Sequence, residues 1–138
     1  MEKFRIVVAG GRNFHQYKLL ICKLDKLLKD KKLTHEIYII SGKAPGADSL
    51  GENYAKLRGY KVKEYPAEWD NLNGVDAKFI RTNNNGQAYN VLAGHIRNEK
   101  MAMNADAAVI FWDGKSTGSK NMIEQAKKYK LIVRVVKY

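Results

Sequence analysis

Apolar residues along this chain fall into two alternating rhythms: short unbroken runs, and longer stretches with a period near 3.6. Phe4–Ala9 is an apolar, β-branched run interrupted only by Arg5 and closed by two glycines, the pattern of a strand buried on both faces. From Tyr17 to Lys31 the apolar positions Tyr17, Leu20, Ile21, Leu24, Leu27 and Leu28 recur at helical spacing, with Lys18, Lys23, Lys26 and Lys29 between them. This predicts an amphipathic helix. Glu36–Ser41 reads as the next strand, Ala47–Arg58 as a helix stopped by Gly59, and Lys61–Tyr65 as a strand stopped by Pro66. The rhythm then breaks: residues 70–94 have no clean period and contain Asn83-Asn84-Asn85-Gly86, a turn signal with a bias to positive φ. Helical spacing resumes over His95–Asn104, followed by a strand at Ala107–Trp112, a helix at Ser119–Tyr129 and a strand at Leu131–Val136.

Strands that alternate with helices in this way predict an α/β fold: a Rossmann-like, doubly wound, five-stranded parallel sheet in a single domain, residues 1–138, with an irregular insert at about 70–94. Ligands of such sheets sit beyond the carboxyl ends of the strands, at the point where the strand order reverses. Three predicted strand ends run there into glycine-containing loops that open helices. These are Gly10-Gly11-Arg12-Asn13-Phe14, Ser41-Gly42-Lys43-Ala44-Pro45-Gly46-Ala47-Asp48 and Asp113-Gly114-Lys115-Ser116-Thr117-Gly118-Ser119. Glycine allows sharp turns and close approach, and the first turn of a helix offers unpaired N–H groups to an anion. Each loop alone is also what a tight strand-to-helix turn requires, and Asp48 is placed to cap N–H groups more readily than to meet a ribose hydroxyl. Neither the dinucleotide fingerprint nor the P-loop pattern is present. Ser41, Lys43, Ser116, Thr117 and Ser119, however, supply hydroxyl and ammonium donors that turns do not need.

Composition changes the picture in one respect. An apolar share of 45% with 28% charged residues is ordinary, but 25 Lys and Arg against 14 Asp and Glu leave a net charge of +11. That fits an anionic partner, and it equally fits a solvated lysine surface. The single cysteine, Cys22, falls in a helical pattern, and no run approaches the ~20 apolar residues of a membrane span. With Met1-Glu2-Lys3 leading directly into a strand, a cytoplasmic protein without membrane attachment is expected. His15, His35 and His95 show no ligand spacing, so no metal and no cofactor are expected. Arg97 is predicted in the first turn of its helix, where the dipole disfavours a cation unless a phosphate or carboxylate faces it. Met101 is predicted in the core and His95 as a loop or cap residue.

Taken in order, Gly10-Gly11-Arg12-x-Phe14, Ser41-Gly42-x-Ala44-x-Gly46-Ala47-Asp48, Ala93-Gly94-His95-x-Arg97-Asn98-x-x-Met101 and Phe111-Trp112-Asp113-Gly114-x-Ser116-x-Gly118-Ser119 resemble the YspA-like, cpYpsA-related branch of the SLOG superfamily. The long insert resembles the versions carried by bacteriophages and mobile elements. The resemblance implies a Rossmann-like domain that binds nucleotides or nucleotide-derived ligands. Relatives include cytokinin-activating LOG phosphoribohydrolases, the DNA-processing protein DprA and sensors of ADP-ribose-like signals. The enzyme relatives carry Arg-Lys-x-x-Met and Gly-Gly-x-Gly-Thr-x-x-Glu motifs. Here Asn98 replaces the lysine, and Met122 stands at the glutamate position with Glu124 two places on.

Three functions follow as expectations. The first is binding of a nucleotide or nucleotide-derived signal, ADP-ribose-like or cyclic, by a sensor or sequestering protein. Its ligand-binding residues would be Gly10, Gly11, Arg12, Phe14, Ser41, Gly42, Gly46, Asp48, Arg97, Gly114, Ser116, Thr117, Gly118 and Ser119, with Phe14, Trp69 or Trp112 stacking on the base. The second is a nucleotide N-glycosidase using Arg97 with Asp48, Glu99 or Glu124 as its carboxylate. The third is DprA-like nucleic-acid binding. A homo-oligomer stays open.

Overall fold

The computed structural model describes residues 1–138. Its elements in chain order are β1 (Glu2–Gly10), α1 (Tyr17–Leu28), α2 (Lys31–Thr34), β2 (His35–Ser41), α3 (Ala47–Arg58), β3 (Lys61–Glu64), a single 3₁₀ turn (Ala77–Phe79), β4 (Ile80–Thr82), β5 (Ala88–Asn90), α4 (Ala93–Met103), β6 (Ala107–Trp112), α5 (Thr117–Lys128) and β7 (Ile132–Lys137). The five long-range strands form one sheet in the order β3-β2-β1-β6-β7. Every pairing in it is parallel. The order reverses between β1 and β6, so the doubly wound α/β sheet expected from the sequence is the fold of this chain.

Alternation along β1 divides the core. Ile6 and Val8 join Leu20, Leu24 and Leu28 of α1 and Tyr54 and Ala55 of α3 on one side of the sheet. Val7 and Ala9 join Met101 and Ala102 of α4 and Met122, Ile123 and Ala126 of α5 on the other. Successive strand residues point to opposite faces, so a strand apolar at every position from Ile6 to Ala9 must carry helices on both. Met101 is buried, as expected. Asp25 fastens α1 to α3, accepting from the Tyr54 hydroxyl at 2.7 Å and from two Arg58 nitrogens at 3.1 and 2.7 Å. No helix is long and apolar enough to cross a membrane.

Three boundaries depart from expectation in ways that bear on function. Helix α1 stops at Leu28 and not Lys31; the next apolar residue, Leu33, is 72% exposed and gives the helix nothing to pack on. The stretch after Trp69 holds an antiparallel hairpin, with Ile80 opposite Asn90. Its turn is Asn83–Gly86: the Asn83 carboxamide oxygen accepts from Asn85 N–H at 2.9 Å and Gln87 N–H at 3.0 Å, and Gly86 takes φ +80°. Strands of three residues are too short to show a period. Helix α4 begins at Ala93, two residues before His95, which places Arg97 in the second turn. The dipole argument for an anionic partner of Arg97 therefore falls, and its neighbours must be read from contacts.

Gly46 is one of the tight points of the chain around the switch. It precedes α3 with φ +80°, and a Cβ there would overlap the Gly11 carbonyl and the Arg12 backbone. Gly74 has a similar φ of +69° but open space around it. Gly46→Ala is expected to cost more than the roughly 1–3 kcal/mol of a strained dihedral alone, and Gly74→Ala to cost no more than that; thermal melts of the two variants check the difference.

Candidate functional site

Beyond the carboxyl ends of β1 and β6 the three glycine loops and the start of α4 surround a crevice of about 340 Å³. The first loop leaves β1 with Gly11 N–H donating to the Phe111 carbonyl at 3.0 Å, and the Gly11 carbonyl accepts from Phe14 and Ala47 N–H, each at 3.2 Å. That carbonyl ties the first loop to the start of α3. Gly10 and Arg12 line the crevice. Phe14 does not: it is 2% exposed and stacks on Phe111 with ring centroids 4.5 Å apart. Burial of the ring beneath the loop removes it as a base-stacking candidate.

The second loop spends its polar side chains on itself. The Ser41 hydroxyl donates to Glu52 at 2.6 Å and accepts from Lys43 N–H at 3.1 Å. The Lys43 ammonium reaches Glu52 at 2.9 Å and Glu64 at 3.5 Å. Ser41, Gly42 and Gly46 therefore shape the loop from behind the crevice, while Ala44 and Asp48 line it. Asp48 is 4% exposed and accepts from Ala44 N–H at 3.3 Å, a bond within the loop before α3; the helix itself has no side-chain cap, so the expected capping role is not what Asp48 performs. Burial pushes its carboxyl up from the ordinary 3.8 to about 6; the positive charge of Arg97 and backbone N–H groups of Ala44 and Gly42 oppose that rise.

Arg97 reaches across from α4. Its Nη1 donates to the Gly42 carbonyl and its Nε to the Asn98 carboxamide oxygen at 3.1 Å. Gly42 must lack a side chain, because a Cβ would run into this guanidinium and Asp48. Burial lowers the pKa of Arg97, Asp48 raises it, and the neighbouring charge of Arg12 lowers it again. Asn98 carries the network on, donating from Nδ2 to the Gly118 carbonyl at 3.3 Å and to Asn121 at 3.0 Å. It is 6% exposed. One buried amide thus holds Arg97 and the start of α5 in mutual register.

The third loop is built by Asp113, whose carboxylate accepts from Lys115 and Ser116 N–H at 2.8 and 2.9 Å. Ser116 caps α5, accepting from Ser119 N–H at 3.3 Å, and its carbonyl accepts from the Trp112 indole at 3.0 Å. Ser116, Thr117, Gly118 and Ser119 line the crevice; Gly114 lies outside it in the turn, at φ +86°. The Ser119 hydroxyl is buried without a hydrogen-bond partner.

Of the proposed carboxylates only Asp48 is in the crevice. Glu99 faces α5, where it accepts from Lys128 at 2.9 Å and Tyr129 at 3.0 Å. Glu124 is on the exposed side of α5, and Met122 lines the crevice in its place. The helical register that turns Met122 inward turns residue 124 away. Exposed His95 also lines the crevice, as do Trp69, Val91 and Gly94. Asn98 was not predicted as a site residue; its one signal in the sequence was its place beside Arg97, where the related enzymes carry lysine. A second hollow of about 740 Å³ lies under the insert, lined by Tyr65, Val75, Phe79 and Ile96, and Arg97 forms a wall of both. The larger hollow is also lined by Glu64, Glu68, Asp70 and Asp76; the smaller crevice is the candidate site because glycine-loop residues and α4 converge on it at the switch point.

A parallel sheet ordered β3-β2-β1-β6-β7 with a polar crevice at its switch point defines a Rossmann-like α/β domain. Residues 4–71, just under half of the chain, match the YspA, cpYpsA-related SLOG family. Among solved structures it is similar to DNA processing protein A from Streptococcus pneumoniae, at TM-score 0.66 and 18% identity, over 97% of this chain and 50% of that one. It is also similar to DNA processing protein A from Helicobacter pylori, described for its single-stranded DNA binding mode, at TM-score 0.56 and 17% identity, over 96% of this chain and 64% of that one. These likenesses are of fold, and the chain spans only half to about two thirds of each protein. No curated protein matches it.

The raised Asp48 pKa has a definite consequence for stability. Between the ordinary 3.8 and about 6 the folded protein holds a proton that the unfolded chain has released, so this group favours folding at low pH and loses that contribution as pH rises through 6. Asp48→Asn, which cannot ionise, is expected to gain stability relative to the unmodified protein as pH goes from 4 to 7.5. Paired thermal melts across that range check it; a constant difference would contradict it.

Proposed function

We propose that the crevice binds the phosphate of a nucleotide or nucleotide-derived signal, ADP-ribose-like or cyclic, which the protein senses or sequesters. The observation that carries this reading is the charge balance around Arg97. Two guanidiniums, Arg12 and Arg97, act on one another, and the single carboxylate at the crevice, Asp48, is itself disfavoured in its charged form. An anion placed between the arginines offsets their mutual repulsion, and a neutral, protonated Asp48 does not oppose it. The first turn of α5, with Thr117 and Gly118 exposed, adds N–H donors to the same space. The match of residues 4–71 to the SLOG family and the nucleotide ligands of the wider superfamily support the same class of ligand.

Arg97 is the recognition residue in this scheme, since a guanidinium already oriented by Gly42 and Asn98 can meet two phosphate oxygens at once. Arg97→Ala is expected to weaken a phosphodiester ligand such as a cyclic nucleotide or ADP-ribose about tenfold to a hundredfold, and Lys26→Ala on exposed α1 to leave it unchanged. Titration calorimetry at low salt compares them. Equal losses would assign binding to the diffuse +11 charge, the outcome that favours a nucleic-acid ligand of the kind described for the Helicobacter pylori protein. Binding is also expected to tighten from pH 7.5 to 5.5, because Asp48 takes up its proton in that interval while the phosphodiester keeps its charge.

A second reading, nucleotide N-glycosidase, draws on one observation: Asp48 is a buried carboxyl that can take up a proton near pH 6 beside Arg97. Against it, Met122 occupies the crevice position where related enzymes carry glutamate, and oxocarbenium chemistry needs a carboxylate at the reacting carbon. AMP, NAD and ADP-ribose are therefore expected to remain intact on incubation. Chromatographic detection of free base, abolished by Asp48→Asn or Arg97→Ala, would replace the binding assignment with the enzymatic one.

A further inference from the structure

Of the three rings that the sequence offers for base stacking, the fold leaves one free for a ligand. Phe14 is locked in the core against Phe111. Trp112 is committed through its indole N–H to the Ser116 carbonyl, and the Lys137 ammonium sits 5.4 Å from its ring centroid. Trp69 is different: it is 37% exposed and lines the same crevice as Arg97 and Asp48.

Its position is also fixed. The Trp69 carbonyl accepts from Asn90 N–H at 2.6 Å, which joins the two ends of the insert. Tyr89 stands edge-on to the indole with centroids 6.4 Å apart. The far edge of the indole rests on Gly94 in the first turn of α4, so closely that a Cβ there would lie 3.0 Å from it. A large apolar ring, half-seated on bare helix backbone and opening into an otherwise polar crevice, has the character of a stacking platform.

We propose that Trp69 is the nucleobase platform of this site, seated by Gly94, so that the crevice selects base-bearing phosphates over sugar phosphates of equal charge. The assignment rests on the phosphate-binding reading above and adds to it the part of the ligand that Arg97 does not contact. Every base has a π-face, so the platform accepts purines and pyrimidines and holds purines more tightly.

Calorimetric titration of AMP, GMP, CMP, UMP and ribose 5-phosphate separates the two parts of the ligand. In the unmodified protein the tightest nucleotide is expected to bind at least tenfold better than ribose 5-phosphate. Trp69→Ala should erase that gap while leaving ribose 5-phosphate affinity unchanged, and Trp69→Phe should restore most of it. Gly94→Ala, which displaces the indole without removing it, should shrink the gap. In a Trp112→Phe background, where Trp69 is the only tryptophan, nucleotides should quench the emission and ribose 5-phosphate should not. A gap that survives in Trp69→Ala, or equal loss of both ligand types, overturns the platform and leaves the phosphate reading standing. Failure of every ligand to bind the unmodified protein overturns the phosphate reading itself, and the platform with it.

Discussion

The pairing of β1 with β6 is the constraint on which the rest of this molecule depends. The two strands run parallel from Ile6 opposite Ala107 to Gly10 opposite Phe111, and the positions between are buried on both faces. Neither can lie at an edge, so β2 and β3 must add on one side and β7 on the other, with helices above and below. At Gly10 and Trp112 the strands end side by side, and their following loops leave for opposite faces of the sheet. The crevice is the gap left by that divergence. Its existence follows from connectivity, before any polar residue is placed in it.

What fills the gap is a chain of polar contacts that spans elements distant in sequence. Arg97 of α4 holds the loop after β2 through Gly42, and Asn98 holds the start of α5 through Gly118. The second loop is stiffened from behind by Ser41, Lys43 and Glu52. Two consecutive residues of one helix therefore set the distance between two loops, and a shift of α4 would be felt at both. Preorganisation of this kind lowers the entropic cost of fixing a ligand.

Much of the fold was legible because its central strands carry unbroken apolar runs, Ile6–Ala9 and Ala107–Trp112, a pattern that allows few arrangements. Gly59 and Gly46 marked element boundaries through conformations that other residues adopt only under strain. The hairpin within the insert was illegible because Ile80–Thr82 and Ala88–Asn90 are too short for alternation to register. The loops of the candidate site could be found from their glycines, but the direction of their side chains could not. Phe14 turns inward because Phe111 offers it a ring to stack on, and the Ser41 hydroxyl turns to Glu52. Both partners are remote in sequence or set by tertiary packing. Arg97 was found for a reason that failed, since the helix starts earlier than its period suggests, yet its contacts place it at the crevice. Asn98 stood out in the sequence only by its place beside Arg97, and its role is set by the three groups its buried amide meets.

The insert leaves the framework after Trp69 and rejoins it at Asn90, and the hydrogen bond between those two residues closes it at its base. Whatever lies between them is, in mechanical terms, a pendant: its length and composition can change without altering the register of a single sheet strand. A change of length there would remodel the border of the crevice while leaving the five-stranded sheet as it stands.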